Sequence, residues 1–463
     1  MSLAKIGAIA ASLALAAAPA LAAPTVAGGG DATQALSDCN TDLRLLNPLT
    51  GWQARWPQQL AGLAAAPAPV QQVALDDWRG APAALHADIE ALRARTNAPA
   101  HVARRILTQV QALQAGPIAP QLTDPQWRAL LDGPLKDAVA DYARFLSQGY
   151  LPKAPAGSGL ALDREGQACF LLAATRWTSL ALTADQIEAT GRRLLAERRA
   201  RLAELSGVAE ADLAPVLEGL RAGEQTPTTR DDILRISRAA LERARMAAPD
   251  WFDLPDAPPI NLEPIPASLE ADLPAGYYQP ATAQTPATYR VNLSRPQDRR
   301  LMAQVIAFHE TIPGHHLGFS AARAPGQFNS GFVEGWGVYA EHLAEEMGLY
   351  SDRQALIGSA AKDLWGASRL IVEPGLHVRG WSRDQAVAFM LENTALSRAE
   401  IEVEVDRYLA LPGQSLSYML GYDAIRQARE RTQARQGAAF DIKAFHKALL
   451  SPGSRPLSDL TLP

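Results

Sequence analysis

Apolar residues recur at helical spacing from residue 83 to about residue 248, separated by short turns. This period places apolar side chains along one side of an α-helix, whereas a half-buried strand alternates every second residue. The clearest segment spans residues 184–205, where Leu and Ile share one face and Arg and Glu crowd the others. No repeat of fixed period is present, so the pattern predicts a compact body of many helices rather than a solenoid.

A Pro-rich stretch over residues 249–286 interrupts this pattern, because proline disfavours helix. Residues 260–263 and 288–293 have the composition or alternation of strands. We therefore predict a mainly α fold, with a multi-helix body and a small β-sheet beside an active-site helix. The predicted parts are a signal peptide (1–22), an N-terminal helical region (23–248), a Pro-rich connector with short strands (249–293) and a catalytic helical region (294–463).

The first 22 residues have the form of a secretory signal peptide. Lys5 precedes an Ala- and Leu-rich run, and the small residues Ala20 and Ala22 precede the expected cleavage point. The apolar run is too short for a stable membrane span. The alternative is a membrane anchor that is never cleaved. We expect a periplasmic or secreted protein with no stable membrane association.

Charge and cysteine content exclude two classes of site. With a formal net charge of -5 and a pI near 6.0, the chain lacks the basic field that attracts nucleic acid. Its two cysteines, Cys39 and Cys169, cannot build a thiolate zinc site. Whether they form a disulfide stays open, as does the oligomeric state.

Residues 309–316, HETIPGHH, contain a histidine-rich motif on a predicted helix. In the spacing His-Glu-x-x-His, two imidazoles share one helix face and reach one zinc ion. Pro313 stands where that second His belongs. On a regular helix His315 would rotate off the face of His309, and His316 would return to it about 10 Å further along.

Pro313-Gly314 is a helix-breaking sequence, so we predict an interruption that returns His315 to the ligand position, with His316 as the alternative ligand. Glu334 follows His315 by nineteen residues, a spacing at which zinc enzymes present a glutamate ligand from the next helix. The alternative for Glu334 is a helix-start carboxylate favoured by the helix dipole.

A Zn²⁺ held by His309, His315 and Glu334 would keep one coordination position open, lower the pKa of a water there and polarise a substrate carbonyl. Glu310, adjacent to a ligand, would face that water as general base. The predicted function is a zinc-dependent hydrolase, foremost a peptidase. The alternatives are a zinc hydrolase of non-peptide esters or amides, and a non-catalytic metal-containing helical binding protein.

Further side chains are candidates for contacting a peptide, or a small amide or ester substrate. His377 and Tyr418 are candidate donors to a developing oxyanion, with loop packing or a satisfied buried hydroxyl as the alternative. Arg407, Arg369 and Arg290 are weaker candidates for binding a substrate carboxylate, with a structural salt bridge as the alternative. A bound terminal carboxylate would make a carboxypeptidase, whereas a carboxylate such as Glu341 holding an amino terminus would make an aminopeptidase. The sequence leaves endo- and exo-specificity open.

Four motifs together resemble the bacterial family of unknown function numbered 885, over residues 166–438. They are His309-Glu310-x-x-Pro313-Gly314-His315-His316, Glu334-Gly335-Trp336, Gly375-Leu376-His377 and Arg407-Tyr408-x-x-x-Pro412-Gly413-Gln414-x-x-x-Tyr418. The resemblance implies a mainly helical protein related to gluzincin-type zinc metallopeptidases, with His, His and Glu ligands.

The chain departs from the pattern at two places. Glu373-Pro374 precedes Gly375 where family members carry Asp, and Val338 stands four residues after Glu334, where gluzincins tend to place an acidic residue. Support for a ligand His must then come from another carboxylate, for which we consider Glu373 and Glu341.

Overall fold

A computed structural model describes residues 45–460, except residues 49, 95–97, 156, 158, 163–164, 224–227, 255–256, 268–269, 271–272, 283–284 and 324–325. The predicted signal peptide and Cys39 lie outside the described residues. The described part is mainly α-helical with one small sheet, which confirms the predicted fold class. Its helices include none long and apolar enough to cross a membrane.

Helices make up the first half of the described chain. They are α1 (Trp52–Ala64), α2 (Ala68–Trp78), α3 (Ala81–Ala94), α4 (Ala100–Gln114), α5 (Pro125–Asp132), α6 (Pro134–Arg144), α7 (Gly166–Thr178), α8 (Ala184–Ser206), α9 (Leu213–Ala222) and α10 (Arg230–Trp251). A π-helical turn, Phe145–Tyr150, continues α6. The segment predicted at 184–205 is α8, which begins at a Thr183–Gln186 capping box and ends at Gly207 in a left-handed conformation.

Three short strands follow: β1 (Asn261–Pro264), β2 (Gly276–Gln279) and β3 (Thr288–Val291). The strand order is β1-β3-β2, with β1 parallel and β2 antiparallel to β3. Strands β1 and β3 overlap the two predicted segments, whereas β2 lies in the Pro-rich stretch and was not predicted. Strand β2 packs against the helix that carries His309.

The second half is helical again, with α11 (Pro296–Arg300), α12 (Ala303–Glu310), α13 (His315–Ala321), α14 (Ser330–Glu346), α15 (Arg353–His377), α16 (Arg383–Asn393), α17 (Arg398–Ala410), α18 (Leu416–Gln436) and α19 (Ile442–Leu450). Short 3-10 turns lie at Leu160–Leu162, Glu210–Asp212, Gly437–Ala439 and Leu457–Asp459.

The two helical halves share one hydrophobic core, which contains buried side chains from Leu46 to Leu460. Helix α8 packs along α15, and α14 packs along α18. Cys169 on α7 is disulfide-bonded, so it is not the buried free thiol that the sequence left possible. The pairing of α14 with α18, beside α12, brings the functional side chains of three distant segments together.

Candidate metal centre

The helix that carries His309 is interrupted at the predicted place. Helix α12 ends at Glu310 and α13 begins at His315, with non-helical backbone at Thr311 (φ -116°, ψ -112°) and Gly314 (φ -78°, ψ -130°). The Gly314 N–H donates to the Phe308 carbonyl at 3.0 Å. A Cβ on residue 314 would lie 1.9 Å from the His309 carbonyl oxygen, so only glycine fits this fold-back.

The interruption brings His315 back to His309, and α14 adds a carboxylate. The Glu334 Oε2 atom lies 3.3 Å from Nε2 of His309 and 3.6 Å from Nε2 of His315. The ligand atoms of His309, His315 and Glu310 lie within 4.8 Å of one another. Four side chains from three helices thus converge on one point.

These distances fit one zinc ion. Zinc bonds of about 2.0 to 2.1 Å in a tetrahedron separate neighbouring ligand atoms by roughly 3.3 Å. The two imidazole–carboxylate distances match that spacing, and two imidazoles with one carboxylate are a common donor set of catalytic zinc.

Both Glu310 and Glu334 are close enough to be considered as ligands, and their contacts distinguish them. Glu334 lies against both Nε2 atoms, whereas the Glu310 carboxylate accepts a hydrogen bond from the backbone N–H of Tyr278 on β2. Glu334 is therefore the better ligand, and Glu310 lies beside the metal position rather than within its donor set.

A buried carboxylate orients the His309 ring. The Nδ1–H group of His309 donates to Oε1 of Glu341 at 2.5 Å, and Lys362 Nζ donates to the same oxygen at 2.5 Å. Glu341 is fully buried. This bond fixes the tautomer that leaves Nε2 available to a metal. Of the two carboxylates considered for this role, Glu341 holds His309, whereas Glu373 accepts hydrogen bonds from Gly413 and Ser415 instead.

The electrostatics of the cluster favour positive charge. Burial lowers the pKa of His309, but the carboxylates of Glu334 and Glu341 outweigh it and raise the pKa to about 9. Burial raises the pKa of Glu334, but the imidazoles of His309 and His315 hold it below its ordinary value. For Glu310, burial outweighs the neighbouring imidazoles and raises the pKa above its ordinary value.

His316 lies next to His315 in sequence but outside the cluster. Its Nε2–H donates to the Pro258 carbonyl at 2.7 Å, so Nδ1 is the acceptor for the Tyr278 hydroxyl at 3.2 Å. The ring is fully buried with both nitrogens occupied. The structure therefore does not support the alternative in which His316 binds the metal.

Of the two predicted oxyanion donors, the structure brings only Tyr418 to the cluster. Its ring stacks on His309, with centroids 6.2 Å apart and an interplanar angle of 23°. His377 is the last residue of α15, fully buried and not in a loop as expected. It accepts from the Leu160 N–H and donates to the Tyr408 carbonyl, both at 3.1 Å. With both ring nitrogens bound to backbone, His377 cannot donate to a substrate.

The three candidate arginines differ in their position relative to the cluster. Arg290 on β3 pairs with Glu263 of β1 at 2.6 Å. Tyr289 lies opposite Tyr278, whose ring contacts His316 and Phe319 beside the cluster. Since neighbouring residues of a strand face opposite sides, Arg290 lies on the face away from the cluster. Arg369 and Arg407 both bind Glu404, and Arg369 also packs over Tyr418.

Two residues beside the cluster were missed from sequence. Tyr278 bonds Glu310 through its backbone, and its ring stacks on Phe319 with centroids 5.7 Å apart. Phe319, one turn after His315, is 39 % exposed. The paired aromatic residues of Gly276–Gln279 were a signal for a strand, but the surrounding prolines concealed it.

Comparisons with known proteins agree with the resemblance found in the motifs. The crystal structure of a protein provisionally described as a lipoprotein, from Colwellia psychrerythraea, is similar with a TM-score of 0.77 and 20 % identity, over 90 % of this chain and 79 % of that one. A protein provisionally described as a lipoprotein of unknown function, from Shewanella oneidensis, is similar with a TM-score of 0.65 and 19 % identity, over 92 % of this chain and 84 % of that one.

At these identities the two structures show a shared fold. No curated protein matches the chain. The sequence profile of the bacterial proteins of unknown function called DUF885 matches residues 13–462. The chain therefore belongs to the DUF885 family.

Proposed function

We propose that this protein is a zinc-dependent hydrolase, and specifically a metallopeptidase, with His309, His315 and Glu334 as zinc ligands. The observation that carries the proposal is the position of the Glu334 carboxylate, 3.3 and 3.6 Å from the two Nε2 atoms. Glu310 lies beside this donor set without belonging to it. A purely structural zinc site has four protein ligands and no need of such a neighbour.

His309, His315 and Glu334 would hold the zinc ion, which would supply a Lewis acid for activating a water molecule and polarising the substrate carbonyl. Glu310 acts as general base, accepts the proton of the attacking water and returns it to the leaving nitrogen. Its burial and raised pKa suit this role. Tyr418 takes the role of oxyanion donor. In the described residues its hydroxyl makes no hydrogen bond that would compete.

The surroundings of the cluster support a peptide as substrate. Strand β2 is an edge of the sheet and contacts α12. An edge strand offers unpaired backbone groups to an extended peptide. Next to it, the Tyr278–Phe319 pair provides a partly exposed apolar surface for a substrate side chain.

The proposal includes an extracytoplasmic location, in the periplasm or secreted. Its support is the signal-like sequence of residues 1–22, together with the provisional description of both structural neighbours as lipoproteins. Sequencing the amino terminus of protein recovered from culture fractions tests it. Full-length protein confined to the cytoplasmic fraction would contradict the location.

The Glu310→Gln variant tests the mechanism. We expect zinc content to stay as in the wild type, since Glu310 is outside the donor set, while turnover of a peptide mixture falls by about 10² to 10⁴. Elemental analysis measures the metal, and mass spectrometry with and without a chelator measures the products. Glu242→Gln is the control, because Glu242 forms a surface pair with Arg245 and should retain full activity.

Full activity of the Glu310→Gln variant would sink the mechanism. Zinc binding without hydrolysis of any peptide, ester or amide by the wild type would favour a non-catalytic metal protein. Hydrolysis of esters or small amides but no peptide would keep the zinc chemistry and reject the peptidase.

A further inference from the structure

The buried Arg369, beside the metal centre, and the half-buried Arg407 share one carboxylate. Arg369 Nη2 lies 3.2 Å and Arg407 Nη2 2.8 Å from Oε2 of Glu404. Among the described residues, Glu404 is the carboxylate to which these guanidinium groups hydrogen-bond. The two arginines and Glu404 together carry one excess positive charge. An unpaired charge costs free energy where it is shielded from water.

The hydrogen bonds of the two arginines differ. Arg407 uses its three guanidinium nitrogens, with Glu404 and Gln414 as acceptors. Arg369 donates through Nε to the Tyr408 hydroxyl and through Nη2 to Glu404. Its Nη1 donates to none of the described residues, although the residue is only 5 % exposed. The Nη1 edge of the Arg369 guanidinium therefore has no acceptor among the described residues.

Aromatic rings hold that guanidinium in place. It packs over the Trp365 ring at 4.1 Å and over the Tyr418 ring at 4.6 Å. Its position is thus defined by two rings, a hydroxyl and a carboxylate. A guanidinium held in one orientation, with donors to spare, is suited to bind a carboxylate.

Tyr418 connects this group to the metal centre. Its ring lies 4.6 Å from the Arg369 guanidinium and 6.2 Å from the His309 ring, so the two are at most about 11 Å apart. A terminal residue places its carboxylate about 3.8 Å from the scissile carbonyl. With a metal contact of about 2 Å and a charge-assisted hydrogen bond of about 2.8 Å, the terminal residue joins a metal and a guanidinium nitrogen that are roughly 8.6 Å apart. A zinc ion would lie about 3 Å from the centre of the His309 ring, so one terminal residue can span a separation of up to about 11 Å.

The carboxylate considered for an aminopeptidase lies out of reach of a substrate. An aminopeptidase needs a carboxylate exposed to the substrate amine, and Glu341 was the residue considered for that role. Glu341 is fully buried, and one of its oxygens already binds both His309 and Lys362. The substrate amine cannot reach it.

We propose that Arg369 forms a subsite for the free α-carboxylate of a peptide, so that the enzyme removes C-terminal residues as a carboxypeptidase. The inference rests on the proposed hydrolase function. Water adds to the last peptide bond, Glu310 passes its proton to the leaving nitrogen, and the products are a free amino acid and a peptide shortened by one residue.

A pair of peptides that differ only at the C-terminus tests the subsite. One has a free carboxylate and the other a C-terminal amide. We expect wild-type kcat/KM to favour the free acid by roughly 10- to 100-fold, the usual range for one charge-assisted contact. Arg369→Met should abolish this preference by slowing the acid alone, and Arg369→Lys should restore part of it.

Arg221→Met is the matched control, since Arg221 bonds the backbone carbonyls of Leu391, Thr394 and Leu396. It should keep the preference for the acid. Should Arg369→Met fail to fold, the wild-type comparison and the lysine variant still decide. Equal hydrolysis of acid and amide overturns the subsite and leaves the proposed hydrolase intact.

Hydrolysis of neither peptide counts against the hydrolase, and binding then decides the subsite alone. Calorimetry with zinc-loaded Glu310→Gln protein compares the two peptides without turnover. Tighter binding of the acid, lost when Arg369→Met is added, supports the inference. Equal binding of acid and amide overturns it.

Discussion

Gly337 on α14 lies against the face of the His309 imidazole. An added Cβ would lie 2.4 Å from a ring carbon, so Gly337→Ala must displace the ring from Glu341 and from the metal position. We expect zinc affinity to fall by roughly 10- to 100-fold, as when second-sphere support of a ligand is lost. Competition titration with a chelating dye measures it.

Gly219→Ala on α9 is the matched helical control. An added Cβ there meets no atom within 4 Å, so the change should leave zinc affinity unaltered and stabilise the fold by about 0.5 to 1 kcal/mol. Wild-type zinc affinity in Gly337→Ala would show that His309 does not bind the ion.

Among single residues, the candidate ligands and the candidate base were easier to predict from sequence than the residues that hold them in place. His309, Glu310 and Glu334 were named from residue type and spacing. Lys362 was not, because a salt bridge to Glu341 from another helix leaves no local pattern. His377 was misplaced for the same reason, since its two backbone partners lie more than thirty residues away in sequence.

The break between α12 and α13 decides which of two adjacent histidines faces the candidate metal site. His315 points into the cluster, whereas His316 is held by Tyr278 and Pro258. We expect His315→Ala to lower zinc affinity at least about 100-fold, beyond the loss typical of a second-sphere change.

His316→Ala should retain zinc but destabilise the fold by about 1 to 3 kcal/mol, because it leaves a buried carbonyl and hydroxyl unpaired. Metal titration and urea unfolding of the two variants give the comparison. The reverse result, with zinc lost only in His316→Ala, would refute the assignment.

Helices and helix breaks could be predicted where the apolar periodicity extends over many residues or where a strong helix-breaking sequence is present. The apolar periodicity of α8 and the Pro313-Gly314 break are local and were found. The residues Ser294-Arg295-Pro296-Gln297 have the sequence of a capping box, which predicts Ser294 as the N-cap of α11, but Arg295 takes that position and the Ser294 hydroxyl donates to Asn292. Strand β2 was missed since its four residues are held by pairing with β3, which is a tertiary contact.

The C-terminal helix is joined to the rest of the molecule through a buried neutral histidine. His446 donates to the Trp251 carbonyl at 3.0 Å and accepts from the Tyr339 hydroxyl at 3.1 Å. Burial lowers its pKa to about 4. In the unfolded chain the value is about 6.5, so between these pH values only the unfolded state takes up this proton.

The contribution of His446 to stability is therefore fully present above about pH 6.5 and decreases as the pH falls towards 4, by up to about 3 kcal/mol. In His446→Gln we expect lower stability at pH 7.5 and a shallower loss of stability between pH 6.5 and 4 than in the wild type. Urea unfolding at a series of pH values measures both. Parallel curves for the two proteins would contradict the assignment of this effect to His446.

Sequence alone was enough to predict the mainly helical class, the strands β1 and β3 of the sheet, and a candidate metal site of two histidines and one glutamate with a second glutamate at a helix break. These follow from periodicity, breakers and ligand chemistry, which act over a few residues. Only the tertiary structure decided that Glu341 rather than Glu373 holds His309, that Tyr418 and not His377 borders the centre, and that Arg369 keeps a free edge near it. Each of these depends on which helices pack together, and helix packing is set by the whole core rather than by neighbours in the chain.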